Sequence, residues 1–189
     1  MEYDVVVVGG GPSGLATAIK FAQLNKQNGT DYSICLLEKG SEIGAHILSG
    51  NVFQPNALDE LIPNWKELNA PLNVPVTKDK IYYLLKNIGI PVPPFVMPNL
   101  NNHGNYVISL GNLCRWLGEQ AENLGVEVFP GFPASKLIFE NDEVVGVQTG
   151  DMGVSESGEL KPGHELGIEI KAKMTILGEG CRGHLGKQI

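Results

Sequence analysis

The chain has 189 residues, 42% of them hydrophobic, with 14 Lys and Arg against 21 Asp and Glu. That length can bury a sizeable core, and the apolar content excludes a disordered tail or a fibrous chain. A net charge of −7 excludes a general nucleic-acid binder, and three widely spaced cysteines (Cys35, Cys114, Cys181) without a CxxC pair exclude a readable disulfide framework or zinc ribbon. Reduced thiols in an intracellular compartment are the simpler reading. Glycine is the outlier: its 24 copies are nearly twice the roughly 7% of an average protein.

Only Met1 and Glu2 precede a strand-like run, Tyr3 to Val8, so no signal or transit peptide is expected. Asp4 to Val8 lacks polar alternation, which predicts a strand covered on both faces, as in a parallel sheet flanked by helices. Gly9 to Gly14 is a glycine turn. Leu15 to Leu24 follows with helical spacing at Leu15, Ala18, Ile19 and Ala22. After a polar connection, Ser33 to Leu37 reads as a second strand ending at Glu38, so the first 38 residues read as a βαβ unit. Gly40 to Gly50 is a glycine-bearing loop, and Leu58 to Leu68 a short helix broken at Pro63. Pro71 to Pro98 is rich in proline and apolar residues together. Val107 and Ile108 predict a short strand, Ser109 an N-cap, Leu110 to Leu124 a helix stopped at Gly125, and Val126 to Phe129 a strand. Lys136 to Phe139 and Val144 to Thr149 flank Glu140–Glu143, a hairpin by its turn chemistry. Ile168 to Lys171 and Met174 to Leu177 predict further strand. Gly178 to Leu185 then reads as a strand-to-helix turn that stops at Ile189. This predicts a truncated chain; a short C-terminal helix is the alternative.

Gly9-x-Gly11-x-x-Gly14 follows a strand and opens a helix, the context a dinucleotide fingerprint requires. Gly9 permits the tight turn, Gly11 lets the backbone approach a pyrophosphate, and Gly14 lets helix pack on strand. With Pro12 and Ser13 these residues open a helix whose free N–H groups favour phosphate. Glu38, 24 residues beyond Gly14, can accept hydrogen bonds from ribose hydroxyls. The alternative is a glycine turn used only for packing. The fingerprint does not separate FAD from NAD. Its place at the N-terminus leans towards FAD. So does a second small-residue segment, Lys39 and Gly40 followed by Gly44, His46, Ser49 and Gly50. His46 read alone is more simply a structural histidine.

Asp4 to Leu15 with Leu37–Lys39 resembles flavoproteins of the glutathione-reductase fold. Gly44–Gly50, Asp59–Glu67, Ala70–Thr77, Asn101–Tyr106, Gly118–Glu122, Gly125–Val128, Gly178–Gly180 and Gly183–Leu185 resemble, in order along the whole chain, the electron transfer flavoprotein–ubiquinone oxidoreductase family. The resemblance implies an α/β fold: a glutathione-reductase-like, Rossmann-type FAD domain with a β-meander and a proline-rich apolar insertion, incomplete at the C-terminus. It implies segments 1–75 (FAD-binding βαβ and following loop), 76–108 (insertion) and 109–189 (remainder of the FAD domain). It implies FAD and a [4Fe–4S] cluster whose ligands this chain lacks, so no metal ligand is expected here. Electron transfer flavoprotein and ubiquinone are the implied partners, with no nucleic acid. The implied location is peripheral, on the cytoplasmic face of a bacterial inner membrane, or on the mitochondrial inner membrane for a mature eukaryotic form. Gly178 and Gly180 join the expected cofactor residues. Two departures stand out. Ser109 replaces an Arg that opens the same helix in many relatives, and Glu179–Gly180 replaces the Asp–Gly of the wider hydroxylase group.

The segment from Ile81 to Pro98 is too short and too broken by Pro91, Pro93, Pro94 and Pro98 to cross a bilayer. Its residues read alone leave two possibilities even: a patch dipping into the lipid interface, or an edge hairpin packed on the protein's own core. The resemblance favours the first and makes Tyr82, Tyr83, Leu84, Ile90, Pro91, Val92, Phe95 and Val96 membrane- or quinone-facing. No catalytic nucleophile or acid–base pair is expected, since flavin carries the chemistry. Two other readings remain: a related FAD-dependent reductase or hydroxylase of a lipid-like substrate, and an inactive FAD-binding module.

Overall fold

The structure, a computed structural model, describes residues 1–97, 100–154 and 159–189. Pro98, the last proline of the apolar segment, lies outside them. In chain order the elements begin with β1 (Glu2–Val8), α1 (Pro12–Asn28), β2 (Ile34–Glu38), β3 (Asn51–Phe53), α2 (Asn56–Leu61), β4 (Val74–Pro75), β5 (Ile81–Leu84) and β6 (Gly89–Val92). They continue with β7 (Tyr106–Ile108), α3 (Leu110–Asn123), β8 (Glu127–Pro130), β9 (Ala134–Glu140), β10 (Glu143–Thr149), β11 (Met152–Val154), β12 (Leu160–Glu165) and β13 (Glu169–Leu177). Two compact units result: Met1–Ile47 with Cys114–Ile189, and Leu48–Leu113.

The first unit is built on a six-stranded sheet in the order β8-β2-β1-β13-β10-β9. β8, β2, β1 and β13 are parallel; β10 and β9 extend the sheet antiparallel. Val5 to Val8 and Ile34 to Leu37 are buried, as unalternating runs require when both faces are covered. α1 packs on β1 and β2, burying Leu15, Ala18, Ile19 and Ala22. On one face Val6, Val8, Cys35 and Leu37 meet Leu137, Val147, Ile170, Ala172 and Leu185 in one apolar cluster. α1 ends where Gly29, in the left-handed region, returns its N–H to the Asn25 carbonyl.

Several expectations hold in detail. Asn141 and Asp142 both take positive φ (51° and 65°), the geometry of a type I′ turn between β9 and β10. The Ser109 Oγ accepts the Asn112 N–H at 3.4 Å at the start of α3. Others need correction. The two strand pieces expected at 168–171 and 174–177 are one nine-residue strand, because pairing with β1 from Glu2 to Val8 carries it through Ala172 and Lys173. The helix expected over 58–68 is α2, shifted to Asn56–Leu61. It closes at Ile62, before Pro63 can clash, and turns follow to Asn69.

The second unit holds a three-stranded sheet, β3-β7-β4, a separate β5–β6 hairpin and α2. Its core centres on Trp65, whose indole N–H donates to Asp59 at 2.7 Å and whose ring meets Tyr106 edge-on at 5.9 Å. The segment after Ile81 is a hairpin, but not one packed on a core. Tyr82 to Pro91 are all exposed, Tyr83 to 64% and Leu84 to 78%, and Phe95 is exposed to 83%. Among the described residues, no helix is long and apolar enough to cross a membrane.

The cysteines divide by burial. Burial, and then the nearby Glu127 charge, pushes the Cys35 thiol up to about 12; burial, and then the Glu38 charge, pushes Cys114 up to about 11. Cys181 is exposed. A thiol reagent at neutral pH is therefore expected to label one cysteine fast in the native protein and three in denaturant. Fast labelling of two or more in the native state would contradict the burial.

Candidate dinucleotide-binding cleft

The four parallel strands all point their carboxyl ends at one cleft of about 640 Å³. Its lining comes from Val8 at the end of β1, Leu37 and Glu38 at the end of β2, Phe132 to Ser135 after β8, and Gly178 after β13. An open parallel sheet binds ligands at this place, because loops leaving adjacent strands diverge there. The cleft lies wholly within the first unit.

Three glycines hold the cleft's two phosphate-type turns together, and two others face open space. A Cβ on Gly14 would collide with the Gly9 carbonyl oxygen, and one on Gly9, where φ is +109°, with the Gly178 carbonyl oxygen. A Cβ on Gly178 would lie 3.1 Å from the Gly14 Cα. The Gly178 N–H also donates to the Val8 carbonyl at 2.7 Å. This contact of backbone on backbone fixes the turn after β1 against the turn after β13. By contrast, a Cβ on Gly11 or Gly180 would meet nothing within 4 Å. These are the places where another molecule's atoms can come close.

α1 starts from Gly11 with no side-chain cap and no acid in its first turn, while Pro12 has no N–H to satisfy. The helix-end N–H groups and the positive end of its dipole are thus offered to an external anion. Glu38 is held rigidly. Its Oε2 accepts the Gly10 N–H and its Oε1 the Gly40 N–H, each at 2.7 Å. Each oxygen retains a lone pair for a hydroxyl donor. The cleft so made fits a dinucleotide: an open helix terminus for phosphate, a fixed carboxylate for ribose, and the basic side chains Lys39 and Arg182 in the lining.

Of the expected cofactor residues, the structure brings together Gly9, Gly11, Pro12, Ser13, Glu38, Lys39, Gly44, His46, Gly178 and Gly180 in the lining. Gly14 lies behind the turn as packing. Ser49 and Gly50 belong to the second unit and are not part of this lining. Sequence reading missed Phe132 to Ser135; their signal is their place just beyond the carboxyl end of a parallel strand. It also missed Arg182 and His184.

Glu179 has a local role instead of reaching for a hydroxyl. Its carboxylate accepts the N–H groups of His184 (3.0 Å), Leu185 (3.0 and 3.1 Å) and Gly186 (3.2 Å), and so caps the single turn that seats Leu185 in the core. Burial alone would raise its pKa, but hydrogen bonds from Leu185, His184 and Gly186 outweigh that and hold it below the usual value of 4.5. A carboxylate with a lowered folded pKa stabilises above its unfolded value, and that contribution is lost as pH falls through the folded one. Glu179→Gln is expected to cost about 0.5–2 kcal/mol at pH 7, as for other lost caps. The gap to the parent should shrink as pH falls below the usual value. Melting curves across that range check this; a gap independent of pH would contradict it.

Comparisons with known proteins agree with this geometry. A family model described as an NAD(P)-binding Rossmann-like domain matches residues 7–67. Electron transfer flavoprotein-ubiquinone oxidoreductase of Pseudomonas aeruginosa is 56% identical over the whole chain, which covers 35% of that protein. The mitochondrial proteins of the same name from Oryza sativa and Bos taurus are each 51% identical over the whole chain, which covers 32% and 31% of them. The chain therefore spans about a third of the length of the curated relatives it matches. Among solved structures, a geranylgeranyl bacteriochlorophyll reductase-like protein of Thermoplasma acidophilum superposes with a TM-score of 0.70 at 24% identity, covering 98% of this chain and 41% of that one. The FAD-dependent halogenase CndH gives 0.68 at 17%, covering 100% and 39%. At those identities the two structures show the fold alone: a Rossmann-like α/β domain. The chain as a whole is homologous to the N-terminal part of the electron transfer flavoprotein–ubiquinone oxidoreductases.

Proposed function

We propose that the cleft holds FAD and that the protein passes electrons from reduced electron transfer flavoprotein to ubiquinone, this chain supplying the FAD-binding part. The observation that carries the reading is the 51–56% identity over all 189 residues to oxidoreductases of that name, on a chain whose cleft has the features a dinucleotide needs. FAD supplies the redox chemistry when bound; the chain's residues bind and orient it. The free N–H groups at Gly11 and Ser13 and the α1 terminus hold the pyrophosphate, Glu38 the ribose, and Gly178 and Gly180 the opposite side. Lys39, Gly44 and His46 follow the flavin. Cys35, Cys114 and Cys181, without ferredoxin-like spacing, are assigned to no cluster in this reading. Among the described residues, no group of three or more His, Cys, Asp or Glu is placed to hold a metal ion.

The 76–108 insertion is the membrane- and quinone-facing part of this reading, and it makes the protein peripheral to a bacterial or mitochondrial inner membrane. Support comes from the β5–β6 hairpin, exposed and apolar on both faces. Purified protein is expected to carry one flavin per chain by absorbance, and the protein with its C-terminal remainder to reduce a short-chain ubiquinone analogue. Flavin bound without quinone reduction, but with reduction of an isoprenoid, would favour the related-reductase alternative. A colourless folded chain that takes up no added FAD would end the proposal.

A further inference from the structure

The second unit has a pocket of its own, about 210 Å³, at the base of the hairpin. Ile81 and Val92, a register pair, form its hairpin side; Thr77, Lys78, Asp79, Asn101 and His103 give it polar walls. The wall is built, not incidental. The Asp79 Oδ2 accepts both the Asn102 N–H (2.9 Å) and its side-chain amide (3.0 Å), while the Asn102 Oδ1 accepts from the Asn105 amide at 3.2 Å. The Asp79 carboxylate is thus engaged in holding the 101–105 loop. Asp79 keeps its negative charge but is turned to that loop by these bonds, and Lys78, the basic side chain of the lining, has no such tie.

The hairpin above the pocket is apolar in both directions. Tyr83 pairs with Ile90 on one face and Tyr82 with Pro91 on the other. A hairpin that docks on protein needs one apolar face and keeps the other polar. A two-stranded hairpin exposed on both faces is also marginal in water. Two tyrosines among aliphatic residues suit the lipid interface. Charge is partitioned the same way. The 76–108 segment carries Lys78 and Lys80 at the hairpin's base and Lys86 in its turn, from which a long stem reaches back towards the headgroups, against Asp79 alone, within a chain whose net charge is −7. Its strands of four residues rise about 12–14 Å. With the tip about 5–10 Å below the headgroup boundary, the base stays at phosphate depth.

We propose that this pocket seats the phosphate headgroup of an anionic phospholipid, with Lys78 as its counter-charge and Thr77 and Asn101 as neutral donors, so that the hairpin docks selectively on acidic bilayers. The inference rests on the membrane reading of the hairpin given above. Its test is sedimentation of the full chain with vesicles of phosphatidylcholine alone, and of phosphatidylcholine mixed with phosphatidylglycerol. Binding should be tighter to the mixed vesicles. Lys78→Gln should weaken that binding about fivefold, and Lys78→Gln with Lys80→Gln about 25-fold. Neither should change the melting temperature, and the loss on phosphatidylcholine alone, whose choline offsets its phosphate, should be smaller. Tyr83→Ser with Ile90→Ser should remove binding to both vesicles. Equal binding to the two vesicles, or mixed-vesicle binding insensitive to Lys78→Gln, overturns the headgroup site while leaving the hairpin's insertion standing. Displacement by millimolar inorganic phosphate would mark a free-anion site and also overturn it. Binding to neither vesicle overturns the membrane reading itself, and this proposal with it.

Discussion

Gly14→Ala is expected to cost the first unit about 3 kcal/mol or more, the upper range for overpacking a tight core. The added methyl meets the Gly9 carbonyl oxygen, and the next atoms outward are the Gly9 carbonyl carbon at 3.1 Å and Val7 Cγ1 at 3.4 Å. Two of these are backbone, so no rotamer change relieves the overlap. Either α1 lifts from β1 or the turn after β1 opens, and either motion pulls Gly9 away from Gly178. In a chain of this size such a loss lowers the melting temperature by about 6–12 °C. Thermal unfolding without added flavin checks it; a melting temperature within a degree or two of the parent would refute the packing role.

Gly11→Leu should do the opposite. Its φ is −81° with extended ψ, a conformation leucine adopts without strain, and a Cβ there meets nothing within 4 Å. The flavin-free protein should melt as the parent does. Flavin uptake should be lost, at least a hundredfold in affinity (about 2.7 kcal/mol), because the side chain fills the space a pyrophosphate needs. FAD titration followed by fluorescence checks this. Unchanged affinity would remove Gly11 from the site. A variant that both melts early and fails to bind would show that Gly11 also packs. The two glycines lie three residues apart in one fingerprint, yet one should report on folding and the other on ligand.

That division is only half legible in the sequence. β1, α1 and β2 could be read because each is covered on a long, regular face: four valines, a helical stripe and a run from Ile34 to Leu37. The fingerprint marks all three glycines but not which of them touch each other. That depends on Gly178, more than 160 residues further on. The cleft's third side, Phe132 to Ser135, has no composition signal; it follows from β8 joining the sheet beside β2. Of the short strands of the second unit's three-stranded sheet, β7 is legible at Val107 and Ile108, but β3 and β4 are not, for a related reason. β3, β4 and β7 have two or three residues each and exist by pairing across distant stretches, Asn51–Phe53 with Tyr106–Ile108 and Val74–Pro75 with the same strand. Local propensity carries little weight in such pieces. The role of Glu179 has no sequence signal, because the N–H groups it accepts come from its own chain five to seven residues later, where the turn folds back.

The strand that begins the chain sits at the sheet's centre, paired on one side with the strand that nearly ends it. Val8 faces Leu177, and the amino terminus donates to the Glu169 carbonyl at 3.0 Å. On a ribosome, β1 therefore emerges long before β13 and waits for that neighbour. Until β13 has been made, one edge of β1 is an unpaired apolar strand, and the turns at Gly9 and Gly178 cannot meet. Closure of the cleft thus waits for β13, limited by a contact of very high sequence separation.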